Sequence, residues 1–297
     1  MLTRLRLTAC ATCSLTSRNL SPVAVTLGGM KRIAILGGGR MGEALLMGLL
    51  NGGYEASAIS IAEQQRERCA EIENNAPGVT VGVDASGIVA GADLVIVAVK
   101  PNDVASVLEG ARDSISTSAC ILSIAAGITI ADLESLVPGR AVIRAMPNTP
   151  ALVGRGATAI VLSSLASESD AEMAEQVLGY VGIVERVTED LIDAVTGLSG
   201  SGPAYIFLVI EALVDAGIQN GLPRELVERL VEQTVAGSIE LLMASNEGPI
   251  ELRAQVTSPG GTTAEGIRAL EEHGLRAAIT DAVTKAKLRS IELGRRD

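Results

Sequence analysis

Short continuous runs of hydrophobic residues alternate with helical patterns over the first part of the chain. The runs that predict strands occupy residues 31–36, 58–62, 79–83, 94–99, 120–124 and 141–146, and helices are predicted at 43–51, 64–74 and 86–90. Alternating strands and helices indicate parallel pairing through right-handed crossovers. Because the strand runs are continuously apolar, both faces of the sheet should be covered. We therefore predict an α/β fold with a doubly wound parallel sheet.

From about residue 190 onward, every predicted element is a helix. The helical patterns span residues 203–217, 223–245, 264–272 and 275–293, with Pro223 in the first turn of the second. The first pattern is apolar around most of its circumference and is broken only by Glu211 and Asp215. Such a helix needs burial on every side, so we predict a subunit interface. A membrane helix is the weaker alternative, because the run is short and carries two carboxylates.

The composition narrows the class of partner. A net charge of -11 and an aromatic content of 1% argue against nucleic acid, which requires basic patches and stacking residues. Four cysteines and one histidine suggest neither a metal site nor a disulfide framework, so a reduced, cytoplasmic compartment is expected. Residues 1–30 contain three arginines and no acidic residue. We expect them to be a disordered extension, either an organelle transit peptide or a mis-assigned start.

The pattern Gly37-x-Gly39-x-x-Gly42 follows the first predicted strand and opens a helix, which is the context that indicates dinucleotide binding. The first glycine permits a tight turn, the second lets a pyrophosphate approach, and the third lets helix and strand pack. Arg40 and Met41 belong to the same predicted cofactor site. Residues 31–188 are therefore predicted to form a Rossmann domain, and residues 189–297 a helical dimerisation and substrate domain.

The residues after the second predicted strand leave the choice of dinucleotide open. Glu63 could accept the ribose hydroxyls, as in NAD enzymes, whereas Arg66 and Arg68 could meet a 2′-phosphate. Further cofactor contacts are expected where later strands end, because ligands of parallel sheets bind at the carboxyl edge. These candidates are Val99, Lys100, Pro101, Ala125 and Ala126.

A second candidate anion site is the segment TSPGGTT at residues 257–263, just before a helical pattern. Two glycines let the backbone approach a ligand, and the unpaired N–H groups and dipole of a helix start favour an anion. A plain helix start is the alternative, because Thr262 and Glu265 have the spacing of a capping box.

Together these motifs resemble the pyrroline-5-carboxylate reductase family over roughly residues 31–293. The resemblance rests on GGGRMG at 37–42, AVKP at 98–101, SIAAGI at 123–128, RAMPNTP at 144–150, GLSGSGPAY at 197–205 and QVTSPGGTT at 255–263. It implies NAD(P)H-dependent reduction of the C=N bond of 1-pyrroline-5-carboxylate to L-proline. It also implies interleaved homodimers, which can assemble into pentamers of dimers. NADPH is the expected cofactor, with NADH as the alternative.

The resemblance further implies roles for single residues. The substrate pocket lies between one subunit's nicotinamide and the partner's SPGGTT loop, whose backbone holds the substrate carboxylate and whose last threonine bonds the ring nitrogen. These roles pass to Ser258, Gly261, Thr262 and Thr263, with Ser258 and Thr263 as the catalytic pair. Glu189 matches a position near the substrate, and Gln255 matches one touching both ligands. At Ala85 the chain departs from relatives, which often have an asparagine that contacts adenosine.

A scarcity of acid–base residues favours the same substrate class. Reduction of a ketone usually needs a strong proton donor, but His273 lies at a predicted helix end, and the helical half has only Lys285 and Lys287. A protonated cyclic imine is already electrophilic, so catalysis mainly requires holding its C=N carbon against the nicotinamide.

Two other functions stay open. A β-hydroxyacid dehydrogenase carries a catalytic lysine early in its second half, where residues 203–217 contain none. A non-catalytic dinucleotide sensor would use the helical half only to dimerise.

Overall fold

The computed structural model describes residues 31–294, so the prediction for residues 1–30 lies outside the described residues. Within this part the strands are β1 Ile33–Leu36, β2 Ile59–Ala62, β3 Thr80–Gly82, β4 Leu94–Val97, β5 Cys120–Ser123, β6 Val142–Met146, β7 Gly156–Leu162 and β8 Gly182–Arg186. The α-helices are α1 Arg40–Asn51, α2 Arg66–Asn75, α3 Ala85–Val89, α4 Val104–Ala111, α5 Ile130–Leu136, α6 Glu168–Gly179, α7 Ile192–Val195, α8 Gly202–Gln219, α9 Arg224–Ala244, α10 Pro249–Gln255, α11 Thr262–Glu272 and α12 Leu275–Gly294. Short 3₁₀ turns cover Ala56–Ala58, Pro101–Asp103, Arg112–Ser114, Thr149–Val153 and Glu189–Leu191, and a π-helical turn covers Thr196–Gly200.

The strands form one sheet in the order β3-β2-β1-β4-β5-β6-β7-β8. Every neighbouring pair from β3 to β6 is parallel, which confirms the doubly wound prediction. Strand β7, which lies beyond the last predicted strand, runs antiparallel to β6. Residues 147–155 join these two strands without an α-helix, and a parallel crossover needs a longer connection.

Apolar side chains fill both faces of the sheet. Helices α1, α2 and α6 pack on one face through residues such as Leu46, Ile72 and Leu178. Helices α3, α4 and α5 pack on the other face, with Leu108 and Leu133 fully buried. The covered faces explain why the strand sequences are continuously apolar.

Several predicted boundaries shift in the structure. Helix α1 begins at Arg40 because the glycine-rich turn leads directly into it, and β4 ends at Val97, before the residues that turn toward the crevice. Pro223 precedes α9 as its N-cap, with an extended ψ of 138°, so its placement within the first turn was wrong. Ala85 is the first residue of α3, where Asp84 caps the helix.

The all-helical second part buries little of its own apolar surface. Of the described residues of α8, only Val214 is buried, and in α9 only Val227. Three consecutive residues of α8 are exposed, at 52% for Ile206, 66% for Phe207 and 64% for Leu208. Three successive positions of an α-helix cover more than half its circumference, so α8 presents apolar surface on several sides. Extended exposed apolar surface of this kind is typical of an interface.

Residues Glu189–Gln219 form one continuous helical segment of 31 residues. By length and composition alone, and within the described part of the chain, it is the one helix that could cross a membrane. The prediction that this run is too short was therefore wrong. Turns of 3₁₀, α and π geometry before α8 lengthen the helix beyond the apolar pattern visible in the sequence.

Candidate active site

Strands β1, β4 and β5 end level with one another at one edge of the sheet, and β6 extends two residues beyond them. Leu36 of β1 is in register with Val97 of β4, Val97 with Ser123 of β5, and Ser123 with Arg144 of β6. The glycine-rich loop and the AVKP, SIAAGI and RAMPNTP segments therefore meet at the same edge. Ligands of doubly wound sheets bind in the crevice outside this edge.

The glycines of the first loop fit a close backbone approach. Gly37 has a φ of +110°, and a Cβ there would lie 2.7 Å from the Ala98 carbonyl oxygen. A Cβ on Gly42 would lie 2.0 Å from the Gly37 carbonyl oxygen, whereas one on Gly39 would meet nothing within 4 Å. Gly42 is thus fixed by internal packing, and Gly39 faces the open space that a pyrophosphate would occupy.

This contrast predicts two different outcomes for the same substitution. Gly42→Ala should destabilise the fold by roughly 1–3 kcal/mol, because the new methyl group overlaps a backbone oxygen. Gly39→Ala should leave thermal unfolding nearly unchanged and weaken dinucleotide binding. Calorimetric unfolding and nucleotide titration of both variants measure the two effects. Equal thermal destabilisation by both changes would contradict this assignment.

The remaining cofactor candidates lie at the same edge. The Ala98 N–H donates to the Leu36 carbonyl, and the Ile124 N–H to the Val97 carbonyl, so the chain after β4 and β5 stays beside the glycine loop. Ala125 is buried and Ala126 is exposed, while Val99 and Pro101 are partly buried. Lys100 is exposed and caps the 3₁₀ turn that follows.

Glu63 and Arg68 enclose the glycine loop from the side of β2 and α2. Glu63 Oε2 accepts a hydrogen bond from the Gly38 N–H at 3.0 Å, and its Oε1 accepts one from the Gln65 N–H at 2.9 Å. Arg68 donates to the Gly38 carbonyl at 3.1 Å and to Glu43 at 2.7 Å, and it also pairs with Glu71. Hydrogen bonds to Glu43 and then Glu71 raise the pKa of Arg68 above its ordinary value.

The second predicted anion site is the turn between α10 and α11. Gly260 has a φ of +69°, and Gly261 is the N-cap of α11. The capping-box prediction was wrong. Thr262 is already the first helical residue, no side chain caps the helix, and Glu265 pairs with Arg268 instead.

The turn leaves backbone donors unpaired. Ala264 and Glu265 are the first residues of α11 whose N–H groups reach an acceptor, the Gly261 carbonyl. Among the described residues, the N–H groups of Thr262 and Thr263 have no hydrogen-bond partner. Both threonines are exposed. The N-terminus of a helix with free N–H groups is a ready site for an anion.

Ser258 and Gln255 flank this turn. A Cβ on Gly261 would lie 2.4 Å from the Ser258 hydroxyl, so the glycine leaves room for that side chain. Gln255 donates to Glu247, which precedes α10. Among the described residues, no hydrogen bond or ion pair links residues 255–263 to the sheet half. Within the described part of one protomer, no such contact joins the two anion sites.

Glu189 makes its contacts at the sheet edge, with Arg144 of β6 and with Ile130 at the start of α5. Among the described residues, it has no hydrogen bond to the SPGGTT turn. Its Oε1 pairs with Arg144 at 2.6 Å and accepts from the Ile130 N–H at 3.3 Å, while its Oε2 is buried without a partner among the described residues. Arg144 is part of the RAMPNTP motif, but its sequence position indicated no partner for it; its signal is a cation within an otherwise apolar strand. Asn148 of the same motif donates to the Ser199 carbonyl and so connects the sheet edge to the π-helical turn.

A cavity of about 590 Å³ lies along the flank of α1 rather than at the strand edge. Of the predicted cofactor residues, only Arg40 lines it, together with residues of the Thr149–Val153 turn and Tyr180. The glycines of the first loop do not line this cavity, so it is not the crevice at the strand ends where ligands of doubly wound sheets bind. Within residues 31–294, no cluster of three or more His, Cys, Asp or Glu side chains could hold a metal ion.

The sheet, its glycine-rich crevice and the second anion site define the chain as a dinucleotide-dependent oxidoreductase. Residues 32–127 match a family described as NADP oxidoreductase, coenzyme F420-dependent, and residues 189–293 match one described as pyrroline-5-carboxylate reductase dimerisation. The chain belongs to the pyrroline-5-carboxylate reductase family.

Individual relatives agree with this assignment over most of the chain. The chain is 43% identical over 290 residues to a pyrroline-5-carboxylate reductase of Mycobacterium tuberculosis, covering 89% of this chain and 97% of that protein. A pyrroline-5-carboxylate reductase structure from Coxiella burnetii superposes with a TM-score of 0.86 at 35% identity, covering 90% of this chain and 100% of that chain. One from Plasmodium falciparum with NADP bound has a TM-score of 0.79 at 31% identity, with the same coverages. The matches support an NAD(P)H-dependent enzyme, and the dimerisation region supports a homodimer.

Proposed function

We propose that this enzyme reduces the C=N bond of 1-pyrroline-5-carboxylate to L-proline, the last step of proline biosynthesis, with NADPH or NADH as the hydride donor. The observation that carries the proposal is the pair of anion sites. One lies at the glycine-rich crevice and suits a pyrophosphate, and the other lies at the SPGGTT turn and suits a carboxylate. A small anionic imine beside a dinucleotide accounts for both.

The residues at the crevice fit a dinucleotide. Gly37, Gly39, Arg40, Met41 and Gly42 would surround the pyrophosphate, and Glu63 would face the adenosine ribose. Val99, Lys100, Pro101, Ala125 and Ala126 would line the nicotinamide end, where the bound cofactor supplies a hydride. The small side chains and level strand ends support this arrangement.

At the second site the chain's own groups would bind and orient the substrate. The N–H groups near Gly261 and Thr262 would hold its carboxylate, with Ser258 beside them, and the Thr263 hydroxyl would bond the ring nitrogen. Gln255 would lie between substrate and cofactor, with Glu189 nearby. The protonated imine needs no additional strong acid, so positioning against the nicotinamide is the main contribution. His273 is an exposed C-cap of α11, as predicted.

We propose that the SPGGTT turn acts on the crevice of a partner subunit. Its exposure and its lack of hydrogen bonds to the sheet half of its own chain support this arrangement. The helical region, residues 189–297, would then interleave with a second copy, so that the apolar surface of α8 faces protein and not lipid. Five such dimers would form a decamer.

We further propose a cytoplasmic location and no nucleic-acid partner. Buried free thiols at Cys69 and Cys120 and a net charge of -11 support these assignments.

Turnover tests the proposed reaction directly. Purified enzyme incubated with 1-pyrroline-5-carboxylate should oxidise NADPH or NADH, read as a fall in nicotinamide absorbance, and should form L-proline. Oxidation with a 3-hydroxy acid and oxidised cofactor would instead indicate a β-hydroxyacid dehydrogenase. Dinucleotide binding without turnover on either substrate would indicate a sensor.

A further inference from the structure

We propose that Glu63 makes this enzyme bind NADH more tightly than NADPH, by presenting a fixed, unneutralised carboxylate where the adenosine ribose lies. The inference rests on the proposed dinucleotide site and goes beyond it, because a match to an NADP-dependent family and a relative with NADP bound support NADP without establishing which of the two cofactors this chain prefers.

Backbone hydrogen bonds fix Glu63 beside the glycine loop. Glu63 directly follows β2, and its own N–H donates to the Gly82 carbonyl of β3 at 2.9 Å. Its two carboxylate oxygens accept from the Gly38 and Gln65 N–H groups. The Cys69 thiol donates to the Glu63 carbonyl at 3.1 Å, and burial raises the pKa of that thiol, so it remains a neutral donor. The carboxylate therefore cannot easily swing away from an incoming phosphate.

The loop is shaped around this side chain. A Cβ on Gly38 would lie 2.6 Å from Ile72 Cδ1 and 3.1 Å from Glu63 Oε2. Gly38 thus permits the carboxylate to lie against the loop, at the start of the pyrophosphate turn.

No cation in the described residues forms an ion pair with Glu63. Its negative charge therefore acts on the ligand. A carboxylate has about four acceptor sites, and two of them are used here, so a ribose 2′-OH can donate to the others. A 2′-phosphate has no proton to donate when fully ionised and would be repelled.

Arg68 does not reverse this preference. Its guanidinium is held between Glu43 and Glu71 and also donates to the Gly38 carbonyl. Two carboxylates balance its single charge, and its donors are already used by Glu43, Glu71 and the Gly38 carbonyl. Arg66, the exposed first residue of α2, makes no ion pair among the described residues. It is the one nearby cation that could favour a 2′-phosphate, but as an exposed side chain it is screened by solvent.

Equilibrium binding without substrate tests the inference separately from turnover. Titration calorimetry should give a dissociation constant for NADH about tenfold or more below that for NADPH. Adenosine 2′,5′-bisphosphate and AMP should show the same order, which would locate the discrimination at the ribose. Tighter binding of NADPH by the unaltered enzyme would overturn the inference. If neither dinucleotide bound, the result would instead contradict the proposed function itself.

Two variants test whether Glu63 causes the preference for NADH. Glu63→Gln keeps an acceptor for the Gly38 N–H but removes the charge, so NADPH should bind about tenfold more tightly and the preference should largely disappear. Glu67→Gln removes the same charge from an exposed position one turn away and should leave the NADH-to-NADPH ratio unchanged. Circular dichroism checks that both variants fold. An equal change in the ratio for both variants, or no change for Glu63→Gln, would contradict the assignment.

Discussion

Replacing Thr263 with alanine should lower kcat/KM by about 10²-fold, because the change removes a hydrogen bond aimed at the reacting ring nitrogen. Thr263 is exposed in the first turn of α11 and makes no side-chain hydrogen bond within the described residues. Its hydroxyl is therefore available to a ligand, and its loss should leave the fold and the dimer intact. Steady-state kinetics with 1-pyrroline-5-carboxylate measure the effect.

Thr262→Ala is the matched control for this prediction. Thr262 is the neighbouring residue of the same turn and is equally exposed, but its proposed contribution is its backbone N–H, which alanine retains. Its kinetics should stay within about threefold of the unaltered enzyme, an allowance for small effects at surface positions. If both variants lose activity equally, the side chains act through the structure of the turn and the role given to the Thr263 hydroxyl is incorrect.

The sequence predicted most of the sheet because six of its strands are short runs of mostly apolar residues. Strands β1 and β4 are fully buried on both faces, and only continuous apolar runs satisfy that environment. Strands β7 and β8 and helices α4, α5 and α6 were not predicted, and β7 reverses direction. Its direction depends on the connection from β6, where the Thr149–Val153 turn replaces a crossover helix. Such a turn has no strong periodic pattern in sequence.

The sequence predicted the parts of the site that depend on backbone geometry. It predicted less well which hydrogen-bond and ion-pair partners each side chain has. Glycine spacing was enough to locate the crevice, because only glycine fits at Gly42. In contrast, Glu63 and Arg68 are both charged residues that follow a strand. From their sequence positions, either one could contact the ribose. The structure separates them because Glu43, 25 positions away in the chain, pairs with Arg68 in addition to the nearby Glu71. The Glu189–Arg144 pair likewise joins residues 45 positions apart.

Placing a charge on α8 should dissociate the enzyme and abolish its turnover. Phe207 is 66% exposed in the single chain, and in the proposed dimer it would be buried against the partner. Phe207→Glu would bury an unpaired carboxylate there, at a cost of several kcal/mol. Analytical ultracentrifugation should show monomers, and kcat/KM should fall by more than about 10²-fold, because each pocket would lose the partner's SPGGTT turn.

Dinucleotide binding distinguishes this loss from unfolding. The glycine-rich crevice lies within the sheet half of one chain, so the Phe207→Glu monomer should still bind NADH with nearly unaltered affinity. Leu165→Glu introduces the same charge at a 56% exposed apolar residue of the sheet half, and that variant should remain dimeric and active. A Phe207→Glu monomer that retained full turnover would show that one chain completes its own active site. In that case the SPGGTT turn would have to reach the crevice of the same subunit, which the contacts of the described chain do not provide.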